Sequence, residues 1–258
     1  MTTAPTTTGR TALVTGGSRG LGRSAALHLA EDGTDVVLTY RAGAEEAAEV
    51  VRLVQERGRR AAALPLDVTA PGSFSAFADR LREVLEEWGR DELDVLVPNA
   101  GTAGWTPVGG TQQVEVERLL AVHVTGTVML VEAVLPLLAD GGRIVTISTG
   151  LARFTGDPGY SVYAAAKGAV EVYTRYLAKA LAPRGITVNA VAPGATGTDF
   201  GGGSLRDDEG VRAHLSSVTA MGRVGEPDDI GAAVAAVAST RTGWVTGQRI
   251  EASGGMNL

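Results

Sequence analysis

Two hydrophobic rhythms alternate along the chain. Short runs such as ALVT at 12–15, VVLTY at 36–40 and LDVLV at 93–97 are nearly all apolar and show no polar–apolar alternation, as expected of strands buried on both faces. Between them lie longer stretches such as 45–57, where Val50, Val51 and Val54 are interleaved with charge at the spacing of a one-sided helix. The pattern predicts strands at 12–15, 36–40, 61–66, 93–97, 143–147, 186–191 and 248–252. Helices are predicted from the first strand to about 32, and at 45–57, 73–89, 112–138, 160–182 and 227–239.

This βα alternation implies a parallel sheet with helices on both faces, joined by right-handed crossovers. Nothing between 10 and 258 reads as a linker or a repeat, so a single α/β domain is expected, preceded by a flexible lead-in, MTTAPTTTG, at 1–9. The rhythm loosens after Pro193. Residues 194–210 are rich in Gly, Thr, Asp and Ser, with three glycines at 201–203. They read as a long mobile connection, and together with the residues up to about 215 as a substrate loop.

Composition removes several function classes. The chain has no cysteine, which excludes disulfides, thiolate catalysis and cysteine-ligated zinc. Its formal charge is −6 and Lys/Arg are nowhere dense, so no nucleic-acid partner is expected. No apolar run reads as long enough to cross a membrane, and the first residues lack the basic and apolar regions of a secretory signal. A cytoplasmic protein without a membrane partner is expected. The three histidines, His28, His123 and His214, are scattered along the chain, and no metal site is read.

The chemistry begins at TGGSRGLG, residues 15–22, where Gly16, Gly20 and Gly22 lie between a predicted strand and helix. Glycines there permit a tight turn and close backbone approach, and the helix N-terminus offers free N–H groups to a pyrophosphate. Tyr163 and Lys167 are four residues apart in a helical segment, so they emerge on one face. An ammonium there is expected to lower the phenol pKa toward the working range.

Taken together, TGGSRGLG (15–22), NAG (99–101), YAAAK (163–167) and PG (193–194) resemble the short-chain dehydrogenase/reductase family, most closely its single-domain members of the 3-oxoacyl-carrier-protein reductase kind. The resemblance covers essentially the whole chain and implies a Rossmann-type doubly wound sheet and hydride transfer between a nicotinamide and a ketone or secondary alcohol. It implies Tyr163 as general acid/base, Lys167 as its partner, and a hydroxyl from Ser148-Thr149 as second donor to the carbonyl oxygen. Thr149 matches the family's catalytic serine, fourteen residues before Tyr163 instead of the usual thirteen; Ser148 is the reserve candidate.

The resemblance also assigns the cofactor site. Gly16, Ser18, Arg19, Gly20, Leu21 and Gly22 would cradle the pyrophosphate. Asp67 and Val68 would hold the adenine, and Asn99, Ala100 and Gly101 would pass the ribose. Pro193, Gly194, Thr196 and Thr198 would line the nicotinamide, with Tyr163 and Lys167 beside its ribose. An NAD site commonly ends the second strand in an acid; here Tyr40 stands there, followed by Arg41, with Arg19 nearby. A guanidinium suits a 2′-phosphate that an acid would repel, so NADP(H) is expected.

Two departures stand out. Pro98 replaces a second asparagine, and His123 replaces the asparagine that helps hold a relay water behind the lysine. His123 is either a working substitute or a structural residue in a weakened enzyme. The family implies a homodimer or homotetramer using helices 112–138 and 160–182, with the tail forming the other interface. A carbonyl or alcohol substrate is expected; carrier-bound 3-oxoacyl thioesters and a catalytically weak NADP(H) sensor are the alternatives.

Overall fold

A computed structural model describes residues 9–258, so all but the last residue of the predicted lead-in lies outside the described residues. Strand β1 (Thr11–Val14) leads into α1 (Gly20–Glu31), followed by β2 (Asp35–Tyr40), α2 (Ala44–Glu56), β3 (Ala61–Pro65), α3 (Phe74–Glu87) and β4 (Leu93–Val97). The second half runs α4 (Gln113–Leu120), α5 (Gly126–Val134), β5 (Leu138–Ile147), α6 (Ser161–Leu181), β6 (Thr187–Pro193), α7 (Ser204–Asp207), α8 (Glu209–Ser217), α9 (Pro227–Ala238) and β7 (Arg249–Ala252). The seven strands form one sheet in the order β3-β2-β1-β4-β5-β6-β7, every pair parallel. Order reverses between β1 and β4, which places the crevice of a doubly wound sheet beyond their C-terminal ends.

The unbroken apolar strand runs are explained by two cores. Ala12, Val14, Val36, Leu38, Val95 and Val97 pack with α1, α2 and α9. Their neighbours Leu13, Val37 and Leu96 point the other way, toward α3, α5 and α6. Neither face of the sheet meets water, so alternation is lost.

Three expectations need correction. The helix read at 112–138 is interrupted by a π-helical turn at Ala121–Thr125 between α4 and α5, centred on His123; such turns concentrate at functional sites. The same stretch, Gln113–Leu137, does reach membrane-spanning length, with a mean hydropathy of 1.8. Its apolarity serves the core: Leu119, Leu130, Val131 and Val134 are buried in it. Finally, the supposed mobile connection holds α7 and α8. Asp208 caps α8 by accepting from the Val211 N–H at 2.9 Å, and Val211, Leu215 and Val218 repeat at helical spacing, a signal masked by the glycines before it. Smaller differences are confined to boundaries: β5 begins at Leu138, across a register shift beside β4, where the sequence DGG reads as a turn.

Candidate active site

Every residue assigned from the sequence lines a single cavity of about 1250 Å³. It opens along the C-terminal edge of the sheet because the segments leaving β1 to β6 all turn there: Gly16 to Gly22, Tyr40 and Arg41, Leu66 to Thr69, Asn99 to Ala103, Ser148 to Leu151, and Gly194 to Thr198.

At one end the glycine turn forms a cradle. A Cβ on Gly22 would meet the Gly16 carbonyl oxygen at 2.3 Å and Asn99 Nδ2 at 2.5 Å, so only glycine allows this approach. Asn99 spends its amide on that turn, donating to the Thr15 carbonyl at 2.8 Å. Thr15 Oγ1 in turn accepts from the Asn99 and Ala100 N–H groups, both at 3.0 Å. The α1 N-cap residue, Arg19, gives no side-chain cap, and the first turn carries no acid. Its N–H groups therefore suit an anion. Gly20 faces Thr198 across the cavity, with 3.7 Å from its ideal Cβ to that side chain.

Arg19 and Arg41 are exposed and make no ion pair or side-chain hydrogen bond among the described residues. Asp67 accepts from Thr69 Oγ1 at 2.7 Å and Thr69 N–H at 2.9 Å. Those bonds, first of all the hydroxyl's, lower its carboxyl pKa, with help from Arg41.

At the other end Tyr163 and Lys167, one turn apart on α6, face Thr149 at the exit of β5. The expected lowering of the phenol is corrected: burial pushes Tyr163 up to about 12, opposed by hydrogen bonding from the neighbouring Thr149 hydroxyl and reinforced by Tyr160. Lys167 Nζ donates to the Ile147 carbonyl at 2.7 Å and lies 6.0 Å from the centre of the phenol ring; burial brings the ammonium down to about 8. Dehydration thus dominates at both groups, and the phenol stays protonated at neutral pH.

Thr149 and Ser148 part company. Ser148 is 1% exposed and its hydroxyl donates to Glu171 Oε1 at 2.5 Å, away from Tyr163. Thr149 is the hydroxyl next to the phenol. Between Thr149 and Tyr163 the chain makes a short helical turn, Pro158–Tyr160, capped by Asp157, which accepts from the Gly159 N–H at 2.8 Å.

His123, 1% exposed, lies 2.8 Å through Nε2 from the Thr102 carbonyl. That contact assigns the proton to Nε2. Nδ1 is then an acceptor, buried without a partner among the described residues. Burial, with repulsion from Lys167, lowers the imidazole to about 3 despite the Thr102 bond. A Cβ on Gly101 would approach the ring to 3.0 Å, so the glycine makes room for the bulkier side chain.

The substrate side is aromatic. Trp105 is 56% exposed, edge-on to Tyr160 at 5.5 Å, and covers Gly159 at the cavity mouth. Phe200 stands 5.8 Å from Tyr163, centre to centre, and Phe154, Leu205, His214 and Met256 complete this wall. Phe154 and His214 fall within the stretches 150–160 and 200–215 that the sequence marks as the substrate wall; Met256 was not foreseen, and no local motif marks it.

A family profile described as enoyl-(acyl carrier protein) reductase matches residues 16–257. The chain belongs to the short-chain dehydrogenase/reductase family. It is an enzyme of that family. Among its relatives, the hydroxynaphthalene reductase-like protein Arp2 of Metarhizium brunneum is 35% identical over 257 residues, covering 96% of this chain and 94% of that protein. Two solved reductases of the family share the fold closely. LugOII, described as a promiscuous reductase catalysing keto-reduction at C1 during lugdunomycin biosynthesis, superimposes with a TM-score of 0.92 at 37% identity, over 97% of this chain and 99% of its own. The angucycline C-6 ketoreductase LanV, solved with bound NADP, gives a TM-score of 0.91 at 37% identity, over 96% of both chains.

Proposed function

We propose that this protein is an NADP(H)-dependent ketoreductase acting on a fused-ring aromatic ketone, with Tyr163 as general acid. The observation that carries the reading is the convergence of Thr149, Tyr163 and Lys167 on the cavity whose other end is the glycine cradle and Arg41. The cofactor fits this chain: the α1 N-terminus and its glycines suit a pyrophosphate, and Arg19 and Arg41 suit a 2′-phosphate. LanV, with NADP bound, supports the same choice.

When bound, the cofactor supplies the hydride. The protein does the rest. Thr149 and Tyr163 both hydrogen-bond the carbonyl oxygen and stabilise the charge that develops on it. Tyr163, neutral across the working range, gives that oxygen its proton. Lys167, still mostly charged near neutral pH, favours the phenolate left behind. His123, fixed neutral, offers Nδ1 as an acceptor for a relay water linking this group to solvent. In the oxidative direction Tyr163 is the base.

The substrate class follows from the wall of Trp105, Phe154, Tyr160 and Phe200, which suits flat rings. It agrees with the names of two relatives, a hydroxynaphthalene reductase-like protein and an angucycline C-6 ketoreductase. Arg153, Arg206 and Arg212, the arginines near the entrance that a carrier protein would meet, each pair with an acid of this chain, which favours the small-molecule reading over the carrier-protein alternative. Exposed Val114, Leu120, Met129, Val172 and Tyr176 on α4, α5 and α6 support the expected homodimer or homotetramer.

The test is NADPH oxidation by the purified protein, with a panel of fused-ring aromatic ketones set against small aliphatic ketones. Faster turnover on the aromatic set is expected. Tight NADPH binding with no turnover on any ketone would favour the sensor reading instead.

A further inference from the structure

A chain of ion pairs behind the reactive wall joins three separate parts of the fold. Glu171 follows Lys167 by one turn of α6, as Lys167 follows Tyr163. Its Oε1 accepts from Ser148 Oγ at 2.5 Å and from Arg249 Nε at 2.6 Å. The Arg249 guanidinium makes two further bonds: Nη2 donates to the Thr149 main-chain carbonyl at 3.0 Å, and Nη1 to Glu251 Oε2 at 2.7 Å. Glu251 also accepts from Arg153 Nε at 2.6 Å, and Arg153 reaches the Met256 carbonyl at 2.9 Å.

The three acceptors of Arg249 lie on different elements: α6, the segment leaving β5, and β7. Only a rigid fork of donors satisfies all three at once. Glu171 and Arg249 are largely enclosed, at 13% and 19% exposure, so their pairing is less screened than that of a surface bridge. Thr149 needs such support. It sits in extended backbone where the chain leaves the sheet, and its hydroxyl otherwise meets only the Leu151 N–H, at 3.4 Å. Ser148 anchored from α6 and the Thr149 carbonyl anchored from β7 fix the backbone on both sides of the Thr149 side chain. Burial would raise the Glu251 carboxyl, but Arg153 and Arg249 bring it down to about 2, so that end of the chain stays ionised at neutral pH.

We infer that Arg249 and Glu171 are positioning residues, holding the Thr149 hydroxyl at its working distance from Tyr163. This rests on the role given to Thr149 under the proposed function. Small displacements of a reacting group cost on the order of 10- to 100-fold in rate.

The test compares Arg249→Met and Glu171→Gln, each alone and combined with Thr149→Ala, by turnover number, NADPH dissociation constant and circular dichroism. Alone, each is expected to lower kcat by about tenfold or more, while the NADPH dissociation constant and the spectrum stay unchanged. In the Thr149→Ala background the same substitutions are expected to cost less than about threefold, because their effect runs through the missing hydroxyl. Arg249→Lys should recover part of the loss, since one ammonium reaches some of the acceptors. Unchanged kcat in the single variants, or equal losses with and without the threonine, would overturn the inference. Should Arg249→Met fail to fold, Glu171→Gln carries the same comparison at constant size. Wild-type kcat in Thr149→Ala alone is a separate result: it would reject the role of Thr149, and this inference with it.

Discussion

The imidazole of His123 stands edge-on to the phenol ring of Tyr163, with centroids 5.2 Å apart and planes inclined at 77°. Two ionisable rings, both buried, thus meet at the floor of the site. Burial keeps both neutral, lowering one to about 3 and raising the other to about 12.

This arrangement makes the protein acid-sensitive at His123. Its folded pKa is depressed from 6.5 to about 3, so above pH 6.5 the burial carries no protonation cost. As pH falls through that window, the unfolded chain takes up a proton that the folded one refuses. Stability should then drop by up to about 1.4 kcal/mol per pH unit from this group. Urea titrations between pH 4 and 7 should show a shallower slope for His123→Asn; parallel slopes would contradict the burial. The variant should also lose turnover if the imidazole serves the relay, whereas a large gain would mark the histidine as a handicap.

Tyr163→Phe removes one hydroxyl and keeps the ring, so the fold and the cofactor site should survive. Loss of the proton donor should lower kcat by roughly 10² to 10⁴, with NADPH affinity little changed by fluorescence titration. Lys167→Ala should weaken both turnover and NADPH binding. Near-normal turnover in Tyr163→Phe would mean that the reaction is misassigned.

The pH–rate profile should carry the signature of Lys167. Its ammonium, lowered to about 8 by burial, is present below that pH and lost above it. Reduction should therefore slow as pH rises past about 8, well before the phenol at about 12 ionises. A kcat profile flat to pH 10 would exclude a role for the ammonium charge. Lysine burial has a matching effect on stability: between about 8 and 10.5 the unfolded chain binds the extra proton, so this contribution rises with pH.

Arg41→Ala tests the cofactor. Loss of a charge-assisted contact to a 2′-phosphate should raise the KM for NADPH by about tenfold, while that for NADH stays nearly constant. Equal changes for both cofactors, or a wild-type enzyme at least as efficient with NADH, would refute the NADP(H) assignment.

The sequence by itself determined the sheet, most element positions and the residues that gather along one cavity. Strands buried on both faces must be apolar throughout, and a turn in which a Cβ on Gly22 would strike the Gly16 carbonyl must be glycine; such constraints are local and leave local marks. Glu171 was also within reach, four residues beyond Lys167 on the same helix. Only the tertiary structure turned Ser148 toward Glu171 and Thr149 toward Tyr163, because adjacent residues on an extended segment point to opposite sides, and which side holds Glu171 depends on how α6 lies against β5 and β7. The protonation states were equally out of reach: the four-residue spacing of Tyr163 and Lys167 reports proximity, whereas burial in the assembled fold sets the direction in which each titrates.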